Sequence, residues 1–332
     1  MGTTELILVI IFSIIGCLGL LLLIFTIVIS YTFFKIGFKR KNVNEYTSII
    51  YDAPKEIYHW FERCSSLDVT INTFDGIKLT AKYVKNPNSN HLYFLTIHGY
   101  HGMFISRMPI AKVVFDKYNA NVLAINQRGH YTSEGKYNSL GYLESKDLQY
   151  WINYIIENDK DARIILDGVS MGATTIMYRL NEISSTHVLG AICDCGFYSF
   201  YDEILKDYKK FNNVLFPFSK AFLKIFYKIR YKVDLGSWNC FKGLSESQIP
   251  ILLIHAKDDP VVPYSDHEKE CEVFNKNTKI NILRFEDGGH ARTFYRHNDE
   301  YVASLTKFIN EIIKSWRKTM KFKNILLLIF LI

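Results

Sequence analysis

No group of cysteines and histidines in this sequence has zinc-ligand spacing, and no other metal motif is present, so nothing in it calls for a metal. The cysteines do not make a disulfide framework either. Cys17 falls in a long apolar run, which leaves Cys64, Cys193, Cys195, Cys240 and Cys271, an odd set without regular spacing. Cys193 and Cys195 lie two apart on one predicted strand and are badly placed to bridge each other. Free thiols suit a reducing compartment. There is no block of basic residues: the net charge is +7, but the lysines are spread among acids. That excludes a nucleic-acid-binding arm, and no nucleic acid is expected as a partner. No internal repeat is visible, and residues 6–34 carry no charge at all.

That uncharged run is long enough to cross a hydrocarbon core as a helix, which needs about 20 residues. The residues before it include Glu5 and no Lys or Arg, which argues against a cleaved signal peptide. Ile14-Ile15-Gly16-Cys17 loosely resembles a lipobox, but a greasy stretch would then follow the lipidated cysteine. The expectation is an uncleaved single-pass membrane anchor over residues 1–34. Lys35, Lys39, Arg40 and Lys41 follow directly. Positive charge stays inside, so the large C-terminal part is expected in the cytoplasm. At the far end, residues 318–332 form a basic and then apolar tail, too short to span.

Once the first thirty or so residues of the 332 are set aside, about 300 remain, enough for one large α/β domain with a sizeable core. The chain is 48% hydrophobic and 22% charged, a globular composition. Residues 35–66 read as a juxtamembrane connector with some helix. Residues 67–73 and 77–84 alternate with period two around Asp75-Gly76, which predicts a hairpin. Residues 92–98 are a continuous apolar strand of the kind buried on both faces. Helices are predicted at 108–118, 140–157 and 173–180, a closing helix around 301–313, and strands at 121–126, 162–167, 188–194, 251–255 and 279–285. This alternation implies a mostly parallel sheet with helices on both faces, made mixed by the opening hairpin.

Residues 197–247 break the alternation and are too long for an ordinary connection. They read as an inserted helical cap within a domain of residues 67–317. Phe218, Phe222, Ile225, Phe226 and Ile229 fall on one predicted helical face, and Lys220, Lys224 and Lys228 on another. Most of the aromatics are expected to pack the cap. A basic amphipathic helix of this kind also suits anionic lipid headgroups.

Candidate chemistry centres on Gly168-Val169-Ser170-Met171-Gly172. By chance a G-x-S-x-G arises in about one chain in ten of this length, so the motif alone is modest. A strand before it and a helix after it make it a nucleophile elbow, with the hydroxyl of Ser170 pushed to the top of the sheet. A serine needs a base, and the base needs an orienting acid. Asp258 and Asp259 compete for the acid, in a loop directly after a strand, and His290 follows Gly288-Gly289 after the next strand. His297 is the fallback base. Two backbone amides should meet the oxyanion: that of Met171, and that of Tyr100 in the loop after the early buried strand. His98 and His101 are expected to shape that loop.

These residues resemble the α/β-hydrolase superfamily, over about residues 67–315. Within it, the chain is similar to bacterial membrane-anchored hydrolases of the serine aminopeptidase and monoacylglycerol-lipase-like group. His98-Gly99, Arg128-Gly129-His130, the elbow, the loop from His255 to Pro263 and Gly288-Gly289-His290 stand where that group has them. The resemblance selects Asp259 over Asp258. Asn126-Gln127 and Tyr131 depart from its pattern beside Arg128-Gly129-His130, and Ala256 replaces a common glycine. It implies a cofactor-free serine hydrolase with Ser170, Asp259 and His290 as its triad. Carboxylic esters or small acyl lipids lead as substrate, since the cap is aromatic. Amide or peptide bonds come second, and a non-catalytic membrane-bound scaffold is the rival from another class. The sequence leaves the oligomeric state unknown.

Overall fold

The computed structural model describes residues 2–41, 55–211, 216–274 and 278–330. They group into two units, one of Arg40–Ser199 with Asn239–Ile332 and one of Met1–Lys39 with Phe200–Trp238.

The larger unit is built on one eight-stranded sheet. Its strands are β1 (Ser66–Asn72), β2 (Lys78–Val84), β3 (Leu92–Ile97), β4 (Asn121–Asn126), β5 (Arg163–Val169), β6 (Val188–Asp194), β7 (Ile251–Ala256) and β8 (Ile280–Phe285). They lie in the order β1-β2-β4-β3-β5-β6-β7-β8. The hairpin β1-β2 is antiparallel, and β2 meets β4 antiparallel; every other pairing is parallel. The mixed sheet expected from the sequence is therefore present. Every residue of β3, β4, β6 and β7 is buried, which explains their unbroken apolar runs: both faces are covered, so no alternation is selected.

Outside the smaller unit, the helices are α2 (Lys55–Arg63), α3 (Met108–Tyr118), α4 (Tyr142–Asn158), α5 (Met171–Arg179), α8 (Phe241–Ser245), α9 (Tyr264–Val273), α10 (Thr293–Arg296) and α11 (Asn298–Phe330). α2 supplies the helix expected in the connector, with Trp60 edge-on to Phe115; the rest of the connector, residues 42–54, lies outside the described residues. α11 runs far past residue 313, and Tyr301, Leu305, Phe308, Ile309 and Ile312 form its buried stripe. α9 was not expected. Its buried residues are Asp266, His267 and Glu270, so it has no apolar period to read. Ser199 and Asn239 form an isolated antiparallel bridge, so the chain departs from this unit and rejoins it at one point.

The smaller unit holds α1 (Thr3–Phe38), α6 (Phe200–Phe211) and α7 (Phe216–Tyr231). α1 has 36 residues and is about 54 Å long. Its first two thirds are exposed and apolar. In the last third a stripe at every fourth residue, Thr26, Ser30, Phe34 and Phe38, is buried. That stripe packs on the inserted helices. The Ser30 hydroxyl lies 2.9 Å from the Tyr208 hydroxyl and 3.2 Å from the Ser219 carbonyl, and Phe38 meets Tyr227 edge-on at 5.7 Å. The expected face of α7 is thereby corrected. Ser219, Leu223, Tyr227 and Tyr231 are buried, whereas Ile225 and Ile229 are 47% and 63% exposed. Tyr227 and Tyr231 bring ring area to Phe34 and Phe38 of α1, while the hydroxyl that meets Ser30 comes from Tyr208 of α6. Lys224 lies 4.4 Å over the ring of Tyr201.

Candidate active site

Ser170 sits between the end of β5 and the start of α5 with φ 52° and ψ −120°. A non-glycine residue in that region costs about 1–3 kcal/mol and persists only when its surroundings fix it. The fixing is visible. The Ser170 amide donates to the Asp194 carbonyl at 2.8 Å. A Cβ on Gly168 would come within 2.5 Å of the Gly172 backbone, and one on Gly172 within 2.3 Å of the Ile97 carbonyl oxygen. The turn therefore closes only with glycine at both places.

The parallel strands all end at the same edge, and their loops bring distant residues to Ser170. His290, in the loop after β8, lies with Nε2 2.9 Å from Ser170 Oγ. Its Nδ1 lies 2.8 Å from Asp259 Oδ2. Asp259, in the loop after β7, accepts the amides of Val261 and Val262 on Oδ1 at 2.8 and 2.9 Å. Burial works against the charge of Asp259. Hydrogen bonds from His255, His290 and the Val261 amide nevertheless hold its carboxyl well below the ordinary value. Asp258 has a different place: Oδ1 accepts the Gly289 amide at 2.7 Å, which ties down the loop that carries His290. His297 is engaged by other residues: its Nε2 faces the Asp287 carbonyl at 2.8 Å and its ring stacks on Phe285.

Met171 is the first residue of α5, so its amide is one of the helix-start donors. The loop holding Tyr100 also reaches the site: a Cβ on Gly99 would lie 3.2 Å from Ser170 Cβ and 3.8 Å from Oγ. Histidines shape that loop. His98 Nδ1 lies 2.7 Å from the Gly99 carbonyl and its Nε2 accepts the Gln127 amide at 3.0 Å. The His101 amide donates to His130 Nε2 at 3.2 Å. Burial and His130 hold His98 well below its ordinary pKa, and burial, Lys41 and His130 bring His101 to about 3. Both rings are neutral at physiological pH. Arg128 sits beside them, clamped between Asp147 at 2.6 Å and Asp75 at 2.9 Å.

Three neighbours of the site were not among the residues expected to act there. His255 is fully buried, with Nε2 3.4 Å from Asp259 Oδ2 and 3.1 Å from the Val262 carbonyl. Gln127 donates its side-chain amide to the His98 carbonyl at 2.6 Å and accepts from Thr175 at 3.2 Å. Its signal was the departure from the family pattern at that position. The ligand atom of Cys195 falls within 4.8 Å of those of Asp259 and His290. That trio is a poor metal site. Burial pushes the Cys195 thiol well up, so it stays protonated, and the other two residues are committed to each other.

No family model matches the chain. It is 24% identical over 269 residues to the uncharacterised protein YqkD of Bacillus subtilis, covering 79% of this chain and 85% of that one. It is 23% identical to the alpha/beta hydrolase domain-containing protein WAV2 of Arabidopsis thaliana, covering 76% and 80%. Among solved structures, the Pyrococcus furiosus esterase Pf2001 superposes with a TM-score of 0.60 at 23% identity, over 78% of this chain and 95% of that one. Est1E of Butyrivibrio proteoclasticus, solved with ferulic acid, superposes at 0.58 with 15% identity, over 74% and 99%. An acylaminoacyl peptidase superposes at 0.57 with 16% identity, over 76% and 43%. The chain has the α/β-hydrolase fold.

Proposed function

We propose that this chain is a membrane-anchored serine hydrolase of carboxylic esters, with small or acyl lipids as the substrate class. One observation carries the reading: Ser170, His290 and Asp259, far apart in the chain, form a continuous hydrogen-bonded line at the sheet edge. In the proposed reaction Ser170 Oγ attacks the acyl carbonyl while His290 Nε2 takes its proton. The imidazolium is stabilised by Asp259 and then returns the proton to the leaving alkoxide. The amides of Met171 and Tyr100 receive the oxyanion. Water, deprotonated by the same nitrogen, releases the acid and restores Ser170. The esterases among the structural neighbours favour an ester substrate; the acylaminoacyl peptidase keeps an amide substrate as the second reading. α1 serves as the anchor, since an exposed apolar helix of that length finds its natural surroundings in a bilayer. The Lys and Arg residues after it put the catalytic unit on the cytoplasmic side.

A fluorophosphonate probe is expected to label the full chain on Ser170 and to leave Ser170→Ala unlabelled. Labelling of the alanine variant would show that the nucleophile lies elsewhere. Absence of labelling and of turnover of short p-nitrophenyl esters in the native chain would favour the scaffold reading.

Gln127 is proposed as a positioning residue. By holding the His98 carbonyl and, through its own amide, the His98 ring, it fixes the turn that presents Tyr100. Gln127→Leu is expected to lower kcat about tenfold, the worth of one such hydrogen bond, with KM unchanged. An effect confined to KM would place Gln127 in substrate binding instead.

A further inference from the structure

A groove of about 610 Å³ opens at the edge of the sheet opposite Ser170. Leu92 and Arg163, the first residues of β3 and β5, lie in its floor, whereas Ser170 follows the last residue of β5. The length of β5 separates the two places by about 23 Å. Every residue lining the groove belongs to the larger unit.

Its charge is one-sided. Lys117, Arg163, Lys314, Arg317 and Lys318 line it, and no carboxylate does. Among the described residues, none of these five has a carboxylate within ion-pair distance. Elsewhere on this surface cations are commonly paired, as Lys112 is with Asp116 and Lys279 with Glu311. Arg163 is the best held of the five. It donates to the Asn90 carbonyl and lies 5.0 Å over the ring of Trp316, which forms one wall. Partial burial and the nearby Arg317 hold its guanidinium below its ordinary pKa; Asp159 tempers this but is itself engaged by His91, Tyr93 and the Asp161 amide. A folded chain that draws uncompensated cations around one concavity has a field suited to a compact anion. Two guanidiniums give the planar donor forks that fit phosphate oxygens, and the lysines add mobile point charges. Ile313 and the Trp316 ring offer an apolar side against which the uncharged part of such a molecule can lie.

We propose that this groove is a second binding site, separate from Ser170, for a phosphate-bearing anion with more than one negative charge. A phospholipid headgroup and a soluble phosphate ester share that chemistry. The full chain in nonionic detergent is titrated with inorganic pyrophosphate. In parallel, the full chain in phosphatidylcholine nanodiscs is compared with nanodiscs that also contain phosphatidic acid. The readouts are the Tm and the tryptophan emission, with Trp316→Phe identifying the reporter. An anion that binds only the folded chain raises the Tm. A response to pyrophosphate assigns the soluble source, and a response to phosphatidic acid alone assigns the headgroup. In either case Arg163→Gln/Arg317→Gln is expected to weaken binding at least tenfold. Lys314→Gln/Lys318→Gln, on exposed positions, is expected to weaken it three- to tenfold. Probe labelling at Ser170 should persist in both variants, which certifies their fold. No response in either arm, or equal binding by native chain and both variants, overturns the proposal.

Discussion

Asp259→Asn is expected to lower kcat for a short-chain ester by about 10⁴-fold, with KM little changed. The reason lies in how the carboxylate is held. Oδ1 accepts two backbone amides, those of Val261 and Val262, and Oδ2 faces His290 Nδ1. An asparagine must keep its carbonyl oxygen toward the two amides, because its NH₂ group cannot accept from them. Its NH₂ then faces His290 Nδ1 and forces that nitrogen to be the acceptor. The proton moves to Nε2, the atom 2.9 Å from Ser170 Oγ, and the base is lost although nothing has moved. Asp258→Asn is the control. That side chain is exposed and accepts backbone amides of the loop that carries His290, those of Gly289 and Gly288, without facing the imidazole, so its loss should cost less than tenfold. Steady-state kinetics of the two variants decides between the acids. A larger loss in Asp258→Asn would reverse the assignment.

That choice between neighbouring aspartates shows what the sequence can carry. The order of serine, acid and histidine, each directly after an apolar strand, is a statement about topology. Strand periodicity is enough to read it, and the parallel sheet does the rest. The continuous runs of β3 and β7 announce burial on both faces, and Asp75-Gly76 announces the hairpin. Hydropathy fails where two different surroundings select the same residues. Lipid and a packed protein surface both favour apolar side chains, so the stripe Thr26, Ser30, Phe34 and Phe38 was hidden inside the long run of α1. Its small hydroxyl residues at four-residue spacing were the faint sign. The same blindness misplaced the inner face of α7, where tyrosines rather than isoleucines are buried. It also hid α9, whose buried side chains are ionisable. Polar groups in the interior are legible only through partners that come from elsewhere in the chain, as with Gln127, which meets His98 and Thr175.

Arg107→Met tests the most deeply buried set of such partners, and it is expected to destabilise the protein by about 3–5 kcal/mol. For a unit of this size that is a fall in Tm of about 10 °C. Arg107 is 3% exposed. Its Nε donates to Asp167 Oδ2 at 2.8 Å, its Nη2 to Asp167 Oδ1, and its Nη1 to Asp194 Oδ2 at 3.1 Å. Tyr301 closes the ring by donating to Asp194 at 3.0 Å. Methionine fills the same tube but leaves two buried carboxylates facing each other without a cation. Burial already pushes the Asp167 carboxyl up even with Arg107 beside it. Without Arg107 the folded pKa rises further above the unfolded value, so the folded state holds protons that the unfolded state has released. The deficit should be smallest below about pH 4, where both states are protonated, and should widen as pH rises. A deficit that does not change with pH would mean that Arg107 contributes through packing alone. Adding Asp167→Asn and Asp194→Asn to Arg107→Met should recover more than half of the loss. The network also bears on the candidate site, because Asp167 lies three residues before Ser170 and the Asp194 carbonyl accepts the Ser170 amide. Loss of probe labelling should therefore run ahead of unfolding in Arg107→Met, since the strained turn at Ser170 depends on the strand ends that Arg107 joins.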